Sequence, residues 1–332
     1  MTVGERRNHM SIHWQTLERL RTVFLEGAGG DRDYWLNEAD LACYDATFAQ
    51  RIGWKWDWVL AELQARGWRP PAGTLLDWGC GSGIAARAFL DWFGPESVTS
   101  ATFWDRSSMA MSFAAGKAGT KYPALAVRTG RAEPPGLVLL SHVLTELTPE
   151  ELAALTACLA GATAVIWIEP GTWDASRRLI GVREGLRQLF RVVAPCTHDA
   201  VCGLLAPGND RHWCHQFAPS PPAVFTDPFW GRFAQMTGVD LRSLPLSFLV
   251  LDRRPPPPLP PGTVRILGRP RIYKTHATVH ACSREGVAPW EIRRREFPEV
   301  YARWRRGEWR SLQVRGPDGD GLPLAEELPR QA

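Results

Sequence analysis

A glycine-rich turn near residue 80 has the composition of a ligand-binding loop. Residues 75–89, LLDWGCGSGIAARAF, predict a buried strand that ends at Asp77 and a helix from about Ile84. The turn between them carries three glycines, Gly79, Gly81 and Gly83. Glycine lets a backbone approach a ligand where a Cβ would clash, and the N-terminus of the next helix favours a polar or anionic group. Many α/β proteins use such a turn only to reverse the chain, so the loop alone leaves that alternative open.

An acidic residue follows the next predicted strand. Residues 98–104 are predicted to form that strand, and Asp105 comes directly after it, 22 residues after Gly83. An acid at this position can accept hydrogen bonds from ribose hydroxyls. Asp105 could instead cap the helix that follows it. Because the glycine turn and the acid occur in this order, they favour a nucleoside cofactor over a purely structural turn.

Four cysteines in the C-terminal half have the donor type of a metal site. Five, eleven and 67 residues separate successive members of the set Cys196, Cys202, Cys214 and Cys282. Four thiolates can complete a tetrahedral zinc site or hold an iron–sulfur cluster. Three histidines compete as ligands, namely His198, His212 and His215. The spacing matches neither a paired Cys-x-x-Cys zinc site nor a ferredoxin, so buried free thiols are the alternative. That alternative is favoured for Cys43, Cys80 and Cys158.

Composition limits the class of protein. The 332-residue chain has a net charge of +4 and 45% hydrophobic residues, enough for a sizeable core. It has no run of about 18 apolar residues and no apolar signal core near its start, so we expect a cytoplasmic protein without a membrane span. Seven cysteines without a secretory signal argue against a disulfide framework. We expect a monomer.

Strands that alternate with helical segments predict parallel βαβ units. Beyond the two strands already named, strands are expected near 125–127, at 137–140 and at 164–168. Ligands of such sheets bind at the carboxyl ends of the strands. Four polar residues fall there, Asp77, Asp105, His142 and Glu169. His142 or Glu169 could serve as a base, although a polar residue at the end of a sheet is more often structural.

Helices are predicted on the N-terminal side, at 14–25 and 34–68, separated by Gly29, Gly30 and Asp31. Packing of these helices on the next domain is the favoured interpretation. Stacking of nucleic-acid bases on Trp54, Trp56 and Trp58, with Lys55 beside them, is the alternative.

The C-terminal side predicts two more strands, a buried one at 246–251 and an antiparallel partner at 271–282 that would bring Cys282 to the core sheet. Residues 293–310 hold seven arginines and three glutamates. With Tyr301, Trp304 and Trp309 they suit RNA contact, and a solvated amphipathic helix is the alternative. Residues 316–332 are expected to be disordered.

The predicted organisation has five parts. They are a helical N-terminal region at 1–70, a cofactor-binding α/β core at 71–192, a cysteine-rich metal-binding insertion at 193–222, the C-terminal part of the core sheet with the last cysteine at 223–290, and a basic then acidic tail at 291–332.

The motifs resemble known families. The turn Asp77-x-Gly79-x-Gly81-x-Gly83 resembles the first motif of class I S-adenosylmethionine-dependent methyltransferases, whose loop wraps the amino-acid end of the cofactor above a strand-end acid. Over residues 35–290, the order LLDWGCGSG, FWDRS, SHVLTEL, WIEPGT, APCTHDAVC, RHWCHQF, SFLVL and HACSREG resembles the methyltransferase-like family associated with the small ribosomal subunit. That family has bacterial members and mitochondrial ones that act in mitoribosome assembly.

The resemblance implies an α/β class I methyltransferase fold, Rossmann-like, with a seven-stranded, mainly parallel sheet. It implies S-adenosylmethionine at Asp77, Gly79, Gly81, Gly83 and Asp105. It also implies a [4Fe–4S] cluster, with zinc as the alternative, at Cys196, Cys202, Cys214 and Cys282. The family's Cys-Pro-Leu is Cys202-Gly203-Leu204 in this chain, which changes the loop and not a ligand. The family's basic segment after the last cysteine is also altered.

Two functions agree with these features. The chain is either a methyltransferase for ribosomal RNA or a ribosomal protein of the small subunit, or an assembly factor that binds the cofactor without transfer. The sequence Ser-His-Val-Leu at 141–144 replaces the Asn/Asp-Pro-Pro-Tyr of amino methyltransferases that act on bases. This difference favours the second function and leaves the catalytic residues unassigned. A small-molecule methyltransferase is a third class, for which the basic segment and the cysteine loop have no evident use.

Overall fold

The structure is a computed structural model that describes residues 12–25, 34–131 and 135–314. These residues form twelve strands: β1 Thr74–Trp78, β2 Ser100–Trp104, β3 Ala126–Thr129, β4 Leu137–Ser141, β5 Ala164–Pro170, β6 Arg191–Ala194, β7 Gln216–Ala218, β8 Leu244–Asp252, β9 Thr263–Ile272, β10 His276–Ser283, β11 Gly286–Arg293 and β12 Leu312–Val314. They also form ten α-helices: α1 Trp14–Leu25, α2 Glu38–Asp45, α3 Phe48–Ala65, α4 Ile84–Phe93, α5 Ser108–Lys121, α6 Pro149–Leu159, α7 Trp173–Leu186, α8 Ala223–Thr226, α9 Pro228–Thr237 and α10 Pro298–Arg305.

A mainly parallel sheet forms the centre of the molecule. Its strands run in the order β3-β2-β1-β4-β5-β8-β6, and the short β7 pairs with β8. Strands β1 to β5 are parallel to their neighbours in this group, whereas β8 is antiparallel to β5, β6 and β7. Seven strands in this order, with the antiparallel strand second from one edge, form the class I methyltransferase arrangement. The predicted fold class is confirmed.

Helices cover both faces of this sheet. On one face, Trp56 of α3 shares a buried core with Leu75 of β1 and with residues of α4 and α5. On the other face, Leu155 of α6 and Leu179 of α7 share a second core with Leu76. Leu75 and Leu76 point to opposite faces, as successive strand residues do. Strand β1 is therefore buried on both sides, which fixes the position of the glycine turn that follows it.

The N-terminal helices pack on the core and differ in one respect from the prediction. Helix α1 matches the predicted helix at 14–25, but residues 34–68 form two helices, α2 and α3, instead of one. The interruption lies at Thr47, whose hydroxyl donates to the carbonyl of Cys43 at 2.7 Å. Side-chain bonds of this kind compete with continuation of a helix. The predicted Gly29–Asp31 break lies outside the described residues.

The tryptophans of α3 serve packing. Trp56 is fully buried, Trp54 packs on Trp230 with ring centroids 4.9 Å apart, and Trp58 packs on Phe248 at 5.7 Å. The favoured interpretation is therefore confirmed, and stacking of bases on this cluster is not supported.

A second, antiparallel sheet of four strands follows, in the order β11-β10-β9-β12. The prediction that residues 271–282 pair with 246–251 is wrong, because these residues pair with β9 and β11. Strand β8 is hydrogen-bonded to β5 on one side and to β6 and β7 on the other, so it has no open edge. Cys282 consequently lies on β10 of the second sheet and not at the end of the core sheet.

The arginine-rich segment packs on this second sheet through α10. Tyr301 and Trp304 are 5% and 4% exposed and share a core with Ile266. These two rings are not available to stack on RNA bases, which corrects that part of the prediction. Residues 316–332 lie outside the described part of the chain. Among the described residues, no helix is long and apolar enough to cross a membrane. The domain boundaries predicted from the sequence stay predictions.

Candidate functional site

The glycine turn has a backbone conformation that glycine adopts easily. The φ angles of Gly79, Gly81 and Gly83 are 68°, 50° and 77°, in the left-handed region that strains other residues. The amides of Gly79 and Cys80 donate to the carbonyl of Trp104 at 2.8 and 3.0 Å. The turn is thereby held against the end of β2 before the chain enters α4.

The three glycines have different surroundings. A Cβ on Gly83 would lie 2.8 Å from the Cβ of Ala114, and one on Gly79 would lie 2.6 Å from Cγ1 of Val143. A Cβ on Gly81 would meet no described atom within 4 Å, and Gly81 lines a large cavity. Gly79 and Gly83 therefore allow close packing, whereas Gly81 leaves open space beside the turn.

Asp105 holds the turn from the end of β2. Its Oδ2 accepts a hydrogen bond from the amide of Gly81 at 2.9 Å, and its Oδ1 accepts one from the amide of Ser107 at 3.0 Å. Helix α5 is capped by Ser107, whose side chain accepts from the amide of Ala110. The alternative in which Asp105 is the cap is therefore wrong. A carboxylate oxygen has more than one lone pair, so Asp105 can also accept a ligand hydroxyl.

Asp77 lies beneath the turn and is fully buried. Its Oδ2 accepts from the amide of Ala86 at 3.2 Å, whereas Oδ1 has no hydrogen-bond partner among the described residues. Burial raises the pKa of Asp77 to about 7, against the opposing effects of the Ala86 amide and Arg87. Asp77 therefore acts on the N-terminus of α4 and does not line the cavity.

The cavity has a volume of about 1540 Å³ and lies at the carboxyl ends of β1, β2 and β4. Its lining includes Gly81, Asp105, His142 and, from α3, Arg51 and Lys55. Pockets for one small ligand typically measure about 300–1,000 Å³. This cavity has room for a nucleoside cofactor and for part of a second molecule.

Lys55 and His142 meet in this cavity, with Lys55 Nζ 3.4 Å from His142 Nε2. Burial and the charge of Arg51 hold the pKa of Lys55 well below its ordinary value, against the opposing effect of Glu169. Burial, Lys55 and Arg51 also hold the pKa of His142 well below its ordinary value. Both environments favour the neutral side chain.

Sequence reasoning missed this pair because it treated Lys55 as a neighbour of tryptophans. The signal was present in the spacing, since Lys55 lies three residues after Ile52 and four before Val59, both buried positions of the same helix face. A lysine on the buried face of a helix is unusual.

Glu169 fixes the chain that follows β4. Its Oε1 accepts from the amides of Val143 at 3.0 Å and Leu144 at 2.9 Å, and from the indole of Trp167 at 2.6 Å. Burial raises its pKa to about 7. Glu169 is therefore placed for a structural role, which is the more common role of a polar residue at the end of a sheet.

The four predicted metal ligands come from the loop between β6 and β7 and from β10, and they share one neighbourhood. Cys202 and Cys282 lie in one buried cluster, against which Cys214 packs. Burial raises the pKa of Cys214 well above its ordinary value, and Cys196, Cys202 and Cys282 raise it further. Burial, followed by Cys196 and Cys202, likewise raises the pKa of Cys282 to about 12. Cys202, Cys214 and Cys282 thus each lie close enough to Cys196 for their pKa to be raised by it, and all four thiols are free of disulfides.

Arginines hold the cysteine loop in place. Arg183 Nη2 donates to the carbonyl of His198 at 3.1 Å. Arg66 Nη2 and Arg265 Nε donate to the carbonyl of Pro195 at 3.1 and 2.8 Å. The loop therefore depends on side chains from α7, from the residue that follows α3 and from β9, and not on a strand ladder of its own.

The histidines divide into two groups. His198 Nε2 lies 4.0 Å from the sulfur of Cys282, whereas His212 and His215 stack on other aromatic rings. Within residues 12–25, 34–131 and 135–314, no group of three or more His, Cys, Asp or Glu side chains is arranged to hold a metal ion. The cysteine ligand set stays a prediction.

The strand order, the glycine turn and the acid after β2 define a protein of the class I methyltransferase fold. A sequence profile of the family described as mitochondrial small ribosomal subunit Rsm22 matches residues 59–312. The chain belongs to this Rsm22 family. No curated protein matches the chain in sequence.

The similarity to solved structures is distant. Magnesium protoporphyrin IX methyltransferase from Synechocystis PCC 6803, with bound S-adenosylmethionine, is 13% identical over 74% of this chain and 99% of that chain, with a TM-score of 0.38. TrmK of M. capricolum, in complex with S-adenosylhomocysteine, is 8% identical over 57% of this chain and 66% of that chain, with a TM-score of 0.31.

Proposed function

We propose that this protein binds S-adenosylmethionine at the carboxyl edge of its central sheet and acts as a methyltransferase-like protein on the small ribosomal subunit. Membership of the Rsm22 family supports the ribosomal part, because the family is named for the small subunit. One observation carries the cofactor part: Gly81 has its amide held by Asp105 and faces open space in the cavity.

The residues that would hold the cofactor are Asp77, Gly79, Gly81, Gly83 and Asp105. Asp105 would accept the ribose hydroxyls, and Gly81 would let the ligand approach the backbone. Asp77 would keep the N-terminus of α4 in place through Ala86. Bound S-adenosylmethionine supplies an electrophilic methyl group on a sulfonium.

Calorimetry with S-adenosylmethionine tests this part. Asp105→Ala should weaken binding by roughly 10- to 100-fold, since a hydrogen bond to a charged group contributes about 1.5–3 kcal/mol. Asp91→Ala, which changes an exposed carboxylate far along α4, is the matched control and should bind as the wild type does. Equal affinity in both variants, with both folded, would contradict the assignment.

A second function, an assembly factor that binds the cofactor without transfer, is supported by the Ser-His-Val-Leu sequence after β4. Labelled S-adenosylmethionine incubated with purified small subunits, and separately with free ribosomal RNA, distinguishes the two functions. Transfer of label supports the methyltransferase. Tight binding of cofactor and subunit without transfer supports the assembly factor.

We also propose that Cys196, Cys202, Cys214 and Cys282 hold a [4Fe–4S] cluster. The support is the shared neighbourhood of the four free thiols and the guanidinium groups beside them. Zinc bound by the same four thiolates is the alternative. An iron–sulfur cluster supplies either a structural link or an electron-transfer centre.

Purification without air tests the cluster. We expect a brown protein whose visible absorbance bleaches on reduction or chelation, with iron and sulfide in equal amounts. A colourless protein that contains zinc would contradict the iron–sulfur form, and a metal-free folded protein would contradict both.

We further propose a monomeric protein of the cytoplasm, whereas the family description names the mitochondrion. Cell fractionation and light scattering test the two statements separately. A mitochondrial fraction would correct the first and a dimer mass the second.

A further inference from the structure

The part of the cavity next to α3 contains a buried lysine without a counter-ion. Lys55 is 1% exposed, and within the described chain it forms no ion pair. Its polar contact among these residues is His142 Nε2 at 3.4 Å. A buried amine without a carboxylate partner is costly for folding, and such groups concentrate at functional sites.

His142 is held rigidly on both sides. Before it, Ser141 Oγ accepts from the indole of Trp56 at 3.0 Å, and after it Glu169 accepts from the amides of Val143 and Leu144. His142 itself has φ 57°, the one left-handed value among the described non-glycine residues. Strained backbone of this kind persists where the surroundings enforce it, often at ligand sites.

The second ring nitrogen of His142 is available to a ligand. Nδ1 has no hydrogen-bond partner among the described residues. It is also not among the fully buried polar atoms that lack a partner, so this nitrogen keeps some accessible surface. His142 lines the cavity. Nδ1 can therefore be reached from the space that the cofactor would leave open.

We propose that Lys55 and His142 together accept the proton released in methyl transfer, and that the methyl acceptor is an N–H group of an RNA base. This inference rests on the proposed binding of S-adenosylmethionine and names the substrate class of the same site.

The transfer is balanced as follows. The nitrogen lone pair of the base attacks the methyl carbon of the sulfonium, the N–C bond forms, and the C–S bond breaks with its electron pair left on sulfur as a thioether. The proton of that nitrogen passes to His142 Nδ1. In the tautomer with hydrogen on Nε2, the Nε2 proton moves to Lys55 Nζ, so the positive charge ends on the ammonium.

Arg51 indicates the acceptor class. It lines the same cavity, and its Nε is buried without a hydrogen-bond partner among the described residues. A guanidinium in this position can bind a phosphate of a nucleotide. The same guanidinium charge would repel a protonated amine of a protein substrate. A base turned out of its stack brings both the neutral N–H and the phosphate.

The surrounding charges keep the pair neutral. Burial and Arg51 hold the pKa of Lys55 well below its ordinary value, and Glu169 on β5 opposes them. Burial, Lys55 and Arg51 act on His142 in the same downward direction. Asp240 faces Arg51 and partly offsets its effect. The transfer rate should therefore rise with pH as the pair loses its proton and then become constant.

The titration of Lys55 can be measured directly in the full chain, because the sequence has four lysines. NMR of protein labelled with ¹³C at lysine Cε should give four signals, and Lys55→Met identifies one of them by its loss. Lys117→Met is the control, since Lys117 is exposed. We expect the Lys55 signal to titrate at lower pH than the other three. His142→Asn, which tolerates left-handed backbone, should move that titration to higher pH. A Lys55 signal that titrates with the others overturns the proposal.

Single-turnover transfer from labelled S-adenosylmethionine to small subunits and to ribosomal RNA is the second measurement. Lys55→Met and His142→Asn should each lower the rate by about 10²–10⁴-fold, the usual range for general-base catalysis, with cofactor affinity unchanged. The label should be released by ribonuclease and not by protease. Wild-type rates in both variants, or label in protein, overturn the proposal. If the protein binds the cofactor but transfers no methyl group, the proposal about Lys55 and His142 is overturned and the proposed cofactor binding stands. If the protein does not bind the cofactor, the proposed function is overturned as well.

Discussion

The glycine turn and the cysteine loop are built in different ways. The turn occupies a few consecutive residues between β1 and α4, and the strand beneath it is buried on both faces. The cysteine neighbourhood joins a loop after β6 to Cys282 on a separate sheet, with 67 residues between Cys214 and Cys282. The loop is held mainly by arginine side chains that donate to its carbonyls.

This difference separates a pre-formed site from a region that, in our proposal, is completed by a metal ligand. The turn keeps its conformation through backbone bonds to β2 and through Asp105. In the proposed metal site, three thiols of one loop and Cys282 of a separate sheet would gain their main stabilisation from the shared metal, because binding energy of that kind is also folding energy. The cofactor edge should therefore stay folded when the cysteine region is disturbed.

Loss of one of the four proposed cysteine ligands is expected to have the largest effect. Cys214→Ser should remove the metal, lower the melting temperature and increase amide exchange at 195–220, while cofactor affinity stays within about twofold because the turn lies on a different, independently packed edge. Iron analysis, calorimetry and hydrogen exchange measure the three quantities.

Cys158→Ser is the matched control, since Cys158 is an exposed free thiol. It should behave as the wild type in every assay. Parallel loss of metal and cofactor in Cys214→Ser would show that the two regions form one unit.

Arg265 connects the cysteine loop to α3 and should rank second. It is 1% exposed, its Nη1 donates to Glu62 Oε2 at 3.0 Å and its Nε donates to the Pro195 carbonyl. Breaking a buried ion pair costs about 3–5 kcal/mol, and Arg265→Met should fall at the low end because Arg66 still pairs with Glu62. Denaturant unfolding measures the change, with the exposed Arg306→Met as control. A loss below 1 kcal/mol would mean that the connection is not important for stability.

Two glycine variants sharpen the account of the turn. Gly83→Ala should destabilise the protein by about 1–3 kcal/mol, because the new Cβ meets Ala114 at 2.8 Å and the backbone is left-handed. Gly81→Ala should cost only the backbone strain, about 1 kcal/mol, and yet lose more cofactor affinity, because its Cβ points into open cavity. The opposite ranking in thermal unfolding and calorimetry would contradict the roles assigned to these glycines.

The same contrast explains what the sequence could predict. The turn, the acid after β2 and the parallel strands depend on neighbours within about 30 residues, and pattern and spacing identified them. The assignment of 271–282 to the core sheet failed because alternation predicts a strand without saying which sheet it joins. Here the hairpin partner was nearby, and β8 had no open edge.

The sequence also could not predict which side chains are buried by packing against distant segments of the chain. Tyr301 and Trp304 have the composition of an RNA-contacting segment, but they fill the core of the second sheet. The sequence assigned Lys55 a role only in the alternative of base stacking on the neighbouring tryptophans, whereas packing of α3 places it against His142. In both cases the residue type was informative and its surroundings were decided by contacts far along the chain.

The acid beneath the turn is expected to act through pH. Burial raises the pKa of Asp77 to about 7, above the value of about 3.9 for an unfolded chain. The folded state then binds the proton more tightly, so stability should fall as pH rises from about 4 to 7 and the loss should be complete above 7. Asp77→Asn should flatten the melting temperature between pH 5 and 8 relative to the wild type, with Glu169 left as a second source of the same slope. Parallel curves for the two proteins would show that Asp77 does not titrate in this range. A bound sulfonium favours the ionised carboxylate of Asp77. Saturating S-adenosylmethionine should therefore also flatten the dependence of the wild-type melting temperature on pH, and it should leave the slope of the Asp77→Asn variant unchanged.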